Sequence, residues 1–450
     1  MRCTCANLPE VPPGQPGVDG RLVASAGGAP LLVSYEPVYG DLVASRFDGA
    51  RSDTALDGVP VVTARAGGAY RGGVLDPGPD RGARPAAVAR GAGLDVVYRD
   101  LDLPRVMHLG WDGGSAVTSS ALPIEGRDVG RYACLFRGAD GRLSGLVFVA
   151  SDSSDSVALL VRVESRVAEP RAADDWSATT VVETRLPLRS ESPCSGACGL
   201  GEVCVVEGGQ EVCEKTLDLS GVGAACGPCG VHEVCGEVAG VRACRPRVYA
   251  RSEVDRLPFG EGLFASCIAG EPPLAAWYDA DTRRLVAGRW PLSASDRQVV
   301  DSGLGRDPGR SASIARSPAG RIAIAYQDAA LGALRVASAT AWGAPWTYED
   351  LAPPEGTATG HGVHATFVGE RLVVVEADVR GQVWVFARGV SGCWGSAAAF
   401  GEGAYAYPDV LADTASGGVW VTAQVLQFSP SLAPLHHPEI VAVALPACAN

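Results

Sequence analysis

Four arginines occupy the same place in four repeats of this sequence, each a few residues after an aspartate. The arginines are Arg21, Arg84, Arg131 and Arg310, and the aspartates are Asp19, Asp80, Asp128 and Asp307. If the fold brings the repeats together at one mouth, four guanidinium groups would form a positive patch suited to a carboxylate, a sulfate or an acidic sugar. The alternative, which we prefer, is that each arginine pairs with the aspartate before it and only stabilises its own turn.

Acidic side chains also recur at matching positions, directly after the central apolar segment of four repeats. They are Asp100, Asp152, Asp328 and Asp378. Carboxylates there could bind calcium or sugar hydroxyls, and we count Asp100 and Asp328 among the candidate binding residues. Aspartate also closes turns through its own backbone, which is the interpretation we prefer. No twelve-residue calcium loop is present, so we expect no metal at these positions.

Histidines are few in this chain. His361 and His364 flank one segment of the sixth repeat, and His436 and His437 lie near the C-terminus. Three of them at one mouth could bind a metal, but histidines in loops are more often solvated, so we expect no metal and retain His364 only as a binding candidate. Trp176, Trp346 and Trp394 each begin a segment and could stack on sugars, although packing between repeats is the preferred interpretation.

Signatures of catalysis are absent from the sequence. There is no Gly-x-Ser-x-Gly motif, no His-Glu-x-x-His motif and no phosphate-binding loop. We therefore predict no catalytic residues and no cofactor. A pair of carboxylates for glycoside hydrolysis remains open, because a sequence contains no distances between side chains.

Eight of the fourteen cysteines lie in residues 190–246, in two halves with the same spacing. They are Cys194, Cys198, Cys204 and Cys213, followed by Cys226, Cys229, Cys235 and Cys244. In both halves five and then eight residues follow the second cysteine. Only Cys226 and Cys229 have the Cys-x-x-Cys spacing that zinc favours, so we predict two disulfides in each small module. Four cysteines allow three pairings, and the spacing does not choose among them.

The other six cysteines are predicted to cross-link the main repeats. Cys134 and Cys267 fall at the same place in the third and fourth repeats, which the insertion separates, and we predict a disulfide between them. A second bond is predicted between the two chain ends, and the remaining N-terminal cysteine could reach the sixth repeat; these bonds involve Cys3, Cys5, Cys393 and Cys448. A buried free thiol is the alternative for each.

A three-strand pattern positions all these residues, and it recurs seven times. Its clearest copy runs from Asp307 to Ala337, and a fourth strand follows most copies. A four-strand unit with a period of about 40–50 residues is typical of propeller blades. We predict an all-β propeller of seven four-stranded blades, with blades 1–3 in residues 1–189, cysteine-rich modules in 190–246 and blades 4–7 in 247–450. No fourth strand is evident for the last blade, so residues between Cys3 and Val11 are expected to supply it.

The pattern resembles a propeller repeat common in secreted bacterial proteins, including those of myxobacteria. Its Asp-x-Gly-Arg part is present at Asp307 to Arg310, its Tyr-x-Asp part at Tyr326 to Asp328 and its Gly-x-Leu part at Gly332 to Ala337. The cysteine modules are similar to short repeats found in the same kind of protein. This resemblance implies a propeller fold and a secreted setting, and it implies no reaction.

Composition restricts the partners of the protein. The chain has 450 residues, 47% of them hydrophobic, and a net charge of −13, which argues against nucleic acid as a main partner. No apolar stretch is long enough to span a membrane. Disulfides require an oxidising compartment, so we expect an extracellular or outer-surface location. The export signal is then expected upstream of Met1, or Cys3 or Cys5 follows a lipoprotein cleavage site.

These observations together predict a non-catalytic secreted or cell-surface protein. We expect it to bind carbohydrate or protein through the blade loops and the cysteine-rich insertion. Two alternatives stay open: a glycoside hydrolase or lyase that acts on polysaccharide, and a purely structural surface protein.

Overall fold

The computed structural model is an all-β protein in which seven antiparallel sheets form the blades of a propeller. Each blade is a meander whose strands pair in chain order, from an inner strand outward. The predicted fold class is therefore confirmed. The structure describes residues 16–25, 29–37, 40–48, 50–56, 80–103, 105–114, 117–124, 128–150, 157–185, 202–207, 210–215, 233–238, 241–248, 265–279, 284–302, 307–328, 331–351, 359–378, 380–389, 391–401, 405–428 and 434–447.

The first three blades lie before the insertion. Blade 1 contains β1 (Val18–Val23), β2 (Leu31–Glu36), β3 (Asp41–Asp48) and β4 (Ala50–Ala55). Blade 2 contains β5 (Arg81–Arg90), β6 (Gly93–Asp100), β7 (Arg105–Trp111) and β8 (Val117–Ala121). Blade 3 contains β9 (Asp128–Arg137), β10 (Leu143–Ala150), β11 (Val157–Ser165) and β12 (Trp176–Arg185).

The insertion and the last four blades follow in order. The insertion contains β13 (Glu202–Glu207), β14 (Gln210–Lys215), β15 (Glu233–Val238) and β16 (Val241–Val248). Blade 4 contains β17 (Ala265–Ile268), β18 (Leu274–Asp279), β19 (Arg284–Arg289) and β20 (Arg297–Asp301), and blade 5 contains β21 (Pro308–Arg316), β22 (Ile322–Asp328), β23 (Ala333–Ala339) and β24 (Thr347–Leu351). Blade 6 contains β25 (Thr359–Val368), β26 (Arg371–Asp378), β27 (Val383–Arg388) and β28 (Trp394–Ala398), and blade 7 contains β29 (Tyr405–Asp413), β30 (Gly418–Phe428) and β31 (Pro434–Val443).

Six apolar layers hold the blades together, each between two blades that follow one another in the chain. The second strands are buried on both faces, as in β22, where every residue from Ile322 to Asp328 is buried. Burial of these apolar side chains is the main favourable contribution to stability, at about 25 cal/mol for each Å² removed from water. A single blade could not bury both of its faces, so the blades are stable only as a ring.

The ring closes between blade 7 and blade 1. The Leu22 N–H of β1 donates a hydrogen bond to Asp409 Oδ2 of β29 over 2.8 Å. Gly17 precedes β1 with a φ of 127°, and a Cβ there would lie 2.4 Å from Pro438 Cδ of β31, so only glycine fits this approach. The described part of blade 7 has three strands. The predicted closing strand, Cys3 to Val11, lies outside the described residues.

The layer between blades 3 and 4 contains six buried apolar residues, against ten or more in each of the other five layers. The predicted disulfide between Cys134 and Cys267 is present at this seam, with the two Cα atoms 5.7 Å apart. A covalent bond therefore joins the two blades that share the smallest apolar layer and that the insertion separates in the chain.

The insertion forms a four-stranded sheet of its own, in the order β14-β13-β16-β15. Its backbone explains the repeated eight-residue interval, because each interval is a hairpin that places Cys204 opposite Cys213 and Cys235 opposite Cys244. The pairing of the sulfur atoms in these modules stays a prediction. Cys194, Cys198, Cys226, Cys229, Cys3, Cys5 and Cys448 lie outside the described residues.

Cys393 precedes β28 and is disulfide-bonded. Its partner is not among the residues whose side chains the structure describes. The predicted link from the sixth repeat to an N-terminal cysteine stays a prediction. In the part of the chain that the structure describes, no helix is long and apolar enough to cross a membrane.

Candidate functional site

The inner strands of all seven blades converge on one central cavity of about 250 Å³. Residues of β1, β5, β9, β17, β21, β25 and β29 line it. We call this space the central cavity. Because every blade contributes to its wall, it is the place where the repeats bring distant residues together.

Each inner strand has one residue at the same register around the cavity. This residue pairs with a residue of the second strand whose side chain faces the next blade. These seven residues, which we call the channel ring, are Arg21, Ala86, Cys134, Ser266, Ser313, His364 and Asp409. The side chains of the ring are polar on one side of the cavity and small on the other. Its ionisable members lie in blades 6, 7 and 1, across the place where the ring closes.

Members of the channel ring link neighbouring inner strands by accepting a backbone N–H from the next blade. The three bonds run from Ile314 N to Ser266 Oγ (3.2 Å), from Ala365 N to Ser313 Oγ (3.0 Å) and from Leu22 N to Asp409 Oδ2 (2.8 Å). Asp409 therefore does in blade 7 what serine does in blades 4 and 5, and it adds a negative charge.

That charge is part of a chain of three side chains. Arg21 Nη1 lies 2.7 Å from His364 Nε2, and His364 Nδ1 lies 3.1 Å from Asp409 Oδ1. A guanidinium can only donate, so Nε2 of His364 accepts and its ring proton lies on Nδ1, which donates to the carboxylate. The contacts of its two neighbours thus determine the tautomer of His364.

Asp409 is 8% exposed. Burial raises the pKa of its carboxyl, but the hydrogen bond from His364, the positive charge of Arg21 and the hydrogen bond from the Leu22 N–H outweigh that effect and hold the pKa below its ordinary value. The carboxylate is therefore ionised across the physiological range. It can accept hydrogen bonds, and it is unsuited to donate a proton as an acid.

A second set of residues lies two positions before the channel ring, at the mouth of the cavity. Four of them are non-glycine residues in the left-handed region: Asp19 (φ 55°), Arg84 (φ 55°), Ser311 (φ 51°) and Tyr407 (φ 51°). We call these four the mouth residues. Each lies beside an irregularity in the pairing of its inner strand. Such a conformation costs of the order of 1–3 kcal/mol per residue and is concentrated at functional sites.

Arg84 contacts two other mouth residues, one in blade 1 and one in blade 7. Arg84 Nη1 lies 3.0 Å from Asp19 Oδ1, and the Arg84 N–H also donates to Asp19. The Arg84 guanidinium lies over the Tyr407 ring, 5.7 Å from its centroid. A cation, a carboxylate and an aromatic ring thus share one side of the mouth, next to Arg21, His364 and Asp409.

The ionisable lining of the cavity carries no net charge. Arg21 and Arg84 contribute two positive charges, Asp19 and Asp409 contribute two negative charges, and the tautomer of His364 is neutral. The positive patch that was one of the two sequence interpretations is therefore absent from the described lining. The cavity instead presents hydrogen-bond donors and acceptors whose charges balance one another.

The four arginines predicted to share one position do not share it. Arg21 belongs to the channel ring, Arg84 is a mouth residue two positions earlier, and Arg310 lies one position before the mouth residue Ser311. The inner strands carry an extra residue at this point, and the sequence does not reveal where it falls. The side chain of Arg131 lies outside the described residues.

Arg310 does not line the cavity. It is 5% exposed, pairs with Asp307 at 3.0 Å and lies over the ring of Tyr278, whose hydroxyl also donates to Asp307. The preferred sequence interpretation, an arginine bonded to the preceding aspartate, holds for Arg310. Arg84 differs, because its partner is Asp19 of the neighbouring blade, while Asp80 accepts from Tyr35.

Asp100 and Asp328 also lie away from the described lining. Asp100 is 1% exposed, accepts the N–H groups of Asp102 and Leu103 and pairs with two arginines, Arg81 and Arg105. This contact pattern matches the preferred interpretation of a turn-closing aspartate. Candidate ligand binding therefore centres on Arg21, Arg84 and His364.

Asp328 is fully buried at the end of β22 and accepts the N–H of Asp307 over 3.1 Å. Burial, with the nearby charges of Asp307 and Asp301, raises the pKa of Asp328 to about 7. The bond from Asp307 joins it to the start of its own blade, so we assign it to the structure of blade 5.

The tryptophans favour packing over sugar stacking. Trp176 is 2% exposed and its ring lies 5.0 Å from that of His108, while Trp346 and Trp394 pack against the layers of blades 4–5 and 5–6. The side chains of His361, His436 and His437 lie outside the described residues. Sequence reasoning missed Asp409 and Tyr407, because neither belongs to the repeated Asp-x-Gly-Arg pattern.

No protein-family model and no curated protein matches this chain. Among solved structures, it is similar to an α-L-arabinanase of Penicillium chrysogenum complexed with arabinobiose, at 10% identity over 80% of this chain and 93% of that one, with a TM-score of 0.45. It is also similar to the SapL1 lectin in complex with α-methyl fucoside (13% identity, 86% and 97% coverage, TM-score 0.41) and to the six-bladed fucose-recognising lectin of Aleuria aurantia (11%, 86% and 97%, 0.42). These similarities are too low to transfer a ligand or an activity.

Proposed function

We propose that this protein is a non-catalytic carbohydrate-binding propeller whose central cavity holds a neutral sugar residue. The observation that carries the proposal is the charge-balanced cluster of Arg21, His364 and Asp409 beside Arg84, Asp19 and Tyr407. Each sugar hydroxyl both donates and accepts, so neutralised donors and acceptors in fixed positions match it better than a net charge does. The Tyr407 ring offers an apolar surface for a sugar face.

The size and rigidity of the cavity support the same proposal. About 250 Å³ is below the roughly 300–1,000 Å³ of pockets for larger ligands, which suits one sugar residue. Four mouth residues are held in the left-handed conformation, and contacts between blades orient the side chains of three of them. A site ordered before binding loses little entropy when the ligand arrives.

Hydrolysis of glycosides is the second candidate, because two carboxylates line one cavity. Such a reaction needs an acid whose pKa is raised enough to protonate the leaving group. The pKa of Asp409 is lowered instead, and Asp19 is paired with Arg84. These contacts favour binding without turnover.

The setting that we propose is extracellular or at the outer cell surface. The disulfide between Cys134 and Cys267 supports this setting, because such bonds persist in oxidising compartments. We propose that the cysteine-rich insertion, residues 190–246, is a separate module that adds a recognition surface, and that the propeller is the rigid platform for it.

A glycan array followed by titration calorimetry on the full chain tests the proposal. We expect binding of a neutral saccharide, a loss of about tenfold or more in Arg84→Ala and in Tyr407→Ala, and unchanged affinity in Arg142→Gln, an exposed arginine of blade 3. Absence of binding by the folded protein to every neutral saccharide would refute the proposal. Release of shortened sugars from a polymer would favour the hydrolase.

A further inference from the structure

A second concave surface lies between the outer strands of blades 4 and 5. It has a volume of about 550 Å³ and is lined by Arg284, Val299, Asp301, Ser302, Arg335 and Tyr348, among others. We call it the blade 4–5 groove. It shares no lining residue with the central cavity, so the two sites can be tested separately.

The groove presents an exposed aromatic ring that is held in place. Tyr348 is 44% exposed, yet its hydroxyl donates a hydrogen bond to the Val300 carbonyl, and the Arg335 guanidinium lies 5.7 Å from the ring centroid. Val299 beside it is 47% exposed. A fixed ring next to an exposed aliphatic side chain gives apolar contact area at low cost in conformational entropy.

One cation of the groove has no acidic partner. Arg335 is neutralised by Asp301, at 2.9 Å, and by Asp350. Arg284 is exposed at the start of β19, and within the described part of the chain it takes part in no ion pair or side-chain hydrogen bond. The groove therefore combines a fixed apolar surface with a positive charge that is free to bind an anion.

We infer that the blade 4–5 groove binds a uronic acid residue of an acidic polysaccharide. The Arg284 guanidinium binds the carboxylate, and Tyr348 and Val299 contact the C–H face of the pyranose ring. The partly exposed Arg335, fixed by two carboxylates, lies within reach of the sugar hydroxyls. An acidic sugar, which the less favoured sequence interpretation put at the channel mouth, is thus assigned to the side of the propeller.

Titration calorimetry of the full chain with trigalacturonate, triglucuronate and their methyl esters tests this inference. The methyl ester removes the charge and keeps the ring, so we expect it to bind about tenfold more weakly than the acid. Arg284→Gln and Tyr348→Ala should each weaken binding of the acid about tenfold. Tyr348→Phe keeps the ring and should remain within about threefold, and Arg142→Gln should change nothing.

Circular dichroism and the unfolding midpoint confirm that each variant is folded. The inference is overturned if neither uronate binds, if acid and ester bind equally, or if Arg284→Gln binds as the wild type does. Loss of uronate binding in Arg84→Ala with retention in Arg284→Gln would place the acidic sugar in the central cavity and also overturn it. The affinity for neutral sugars, which depends on the central cavity, should not change in Arg284→Gln.

Discussion

Replacement of Asp409 should separate the structural role of the channel ring from its role in binding. The carboxylate accepts hydrogen bonds from Leu22 N of the next blade at 2.8 Å and from Val410 N at 2.9 Å, and it pairs with His364 at 3.1 Å. Asp409→Ala leaves these donors and the charge of Arg21 uncompensated. Removing one partner of a buried charge cluster costs about 3–5 kcal/mol, so we expect a loss of stability of that size.

Asp409→Ser provides the matched control. Ser266 and Ser313 occupy the same register and accept the corresponding N–H group through Oγ, so a serine in blade 7 can retain the bond to Leu22. One such bond contributes about 1 kcal/mol, and the serine variant should therefore be about 1 kcal/mol more stable than the alanine variant. Both variants should lose sugar binding in the central cavity, because both release His364 and Arg21.

The pH dependence gives an independent check. The folded-state pKa of Asp409 is below its ordinary value, so the unfolded chain takes up a proton first as the pH falls. The contribution of Asp409 to stability is therefore present above about pH 4 and is lost below it. The difference in stability between the wild type and Asp409→Asn should shrink on acidification through that range.

Urea unfolding followed by tryptophan fluorescence, at several pH values, measures these differences. Equal midpoints for the serine and alanine variants would contradict the role of the hydrogen bond between blades. A stability difference from Asp409→Asn that does not change between pH 6 and pH 3 would contradict the ionised, paired state of this carboxylate.

Three further predictions concern a disulfide, a buried carboxyl group and two arginines. The double variant Cys134→Ser/Cys267→Ser should lose about 2–5 kcal/mol of stability, as measured by urea unfolding without a reducing agent. The peptide pair that this disulfide links should be absent from the non-reducing peptide map of the variant. The folded-state pKa of Asp328 is raised to about 7, so the native protein keeps a proton that the unfolded chain releases. Stability should therefore fall by up to about 4 kcal/mol between pH 4 and pH 7. Asp328→Asn should remove this pH dependence of the stability, and an unchanged dependence in the variant would refute the assignment. Arg310→Ala should lower the stability by about 3–5 kcal/mol and leave the sugar affinity unchanged. Arg84→Ala should lower the sugar affinity and leave the stability nearly unchanged. Calorimetry and unfolding experiments on both variants measure the two quantities.

The repeated pattern contained enough information to predict the ring of blades. Each blade must bury two faces against its neighbours, so short apolar segments at a regular period have few other stable arrangements. The disulfide between Cys134 and Cys267 was predicted from the same alignment, which put the two cysteines in adjacent inner strands; in the structure they are offset by one position, so that their side chains face each other across the seam. These predictions depended on periodicity alone and did not require the orientation of any side chain.

Orientation was harder to predict, as two tyrosines show. Tyr35 and Tyr98 end the same apolar segment in blades 1 and 2, yet the Tyr35 hydroxyl reaches forward to Asp80, while Tyr98 packs backward against blade 1. A shift of one residue turns a strand side chain to the opposite face. Strands that are buried on both faces lack the alternation of polar and apolar residues that would reveal such a shift.

The sequence by itself determined the number of blades, the place of the insertion and the composition of the inner strands. Only the tertiary structure decided which of those residues meet: Leu22 and Asp409 are 387 positions apart and become neighbours when the ring closes. That closure brings Arg21 close to His364 and Asp409, whereas Arg84 is paired with Asp19 across blades 1 and 2, and Arg284 stays without an ion pair among the described residues of the outer surface between blades 4 and 5. The physical reason is that charge compensation depends on distances of a few ångströms across blades, and a period along the chain does not contain those distances.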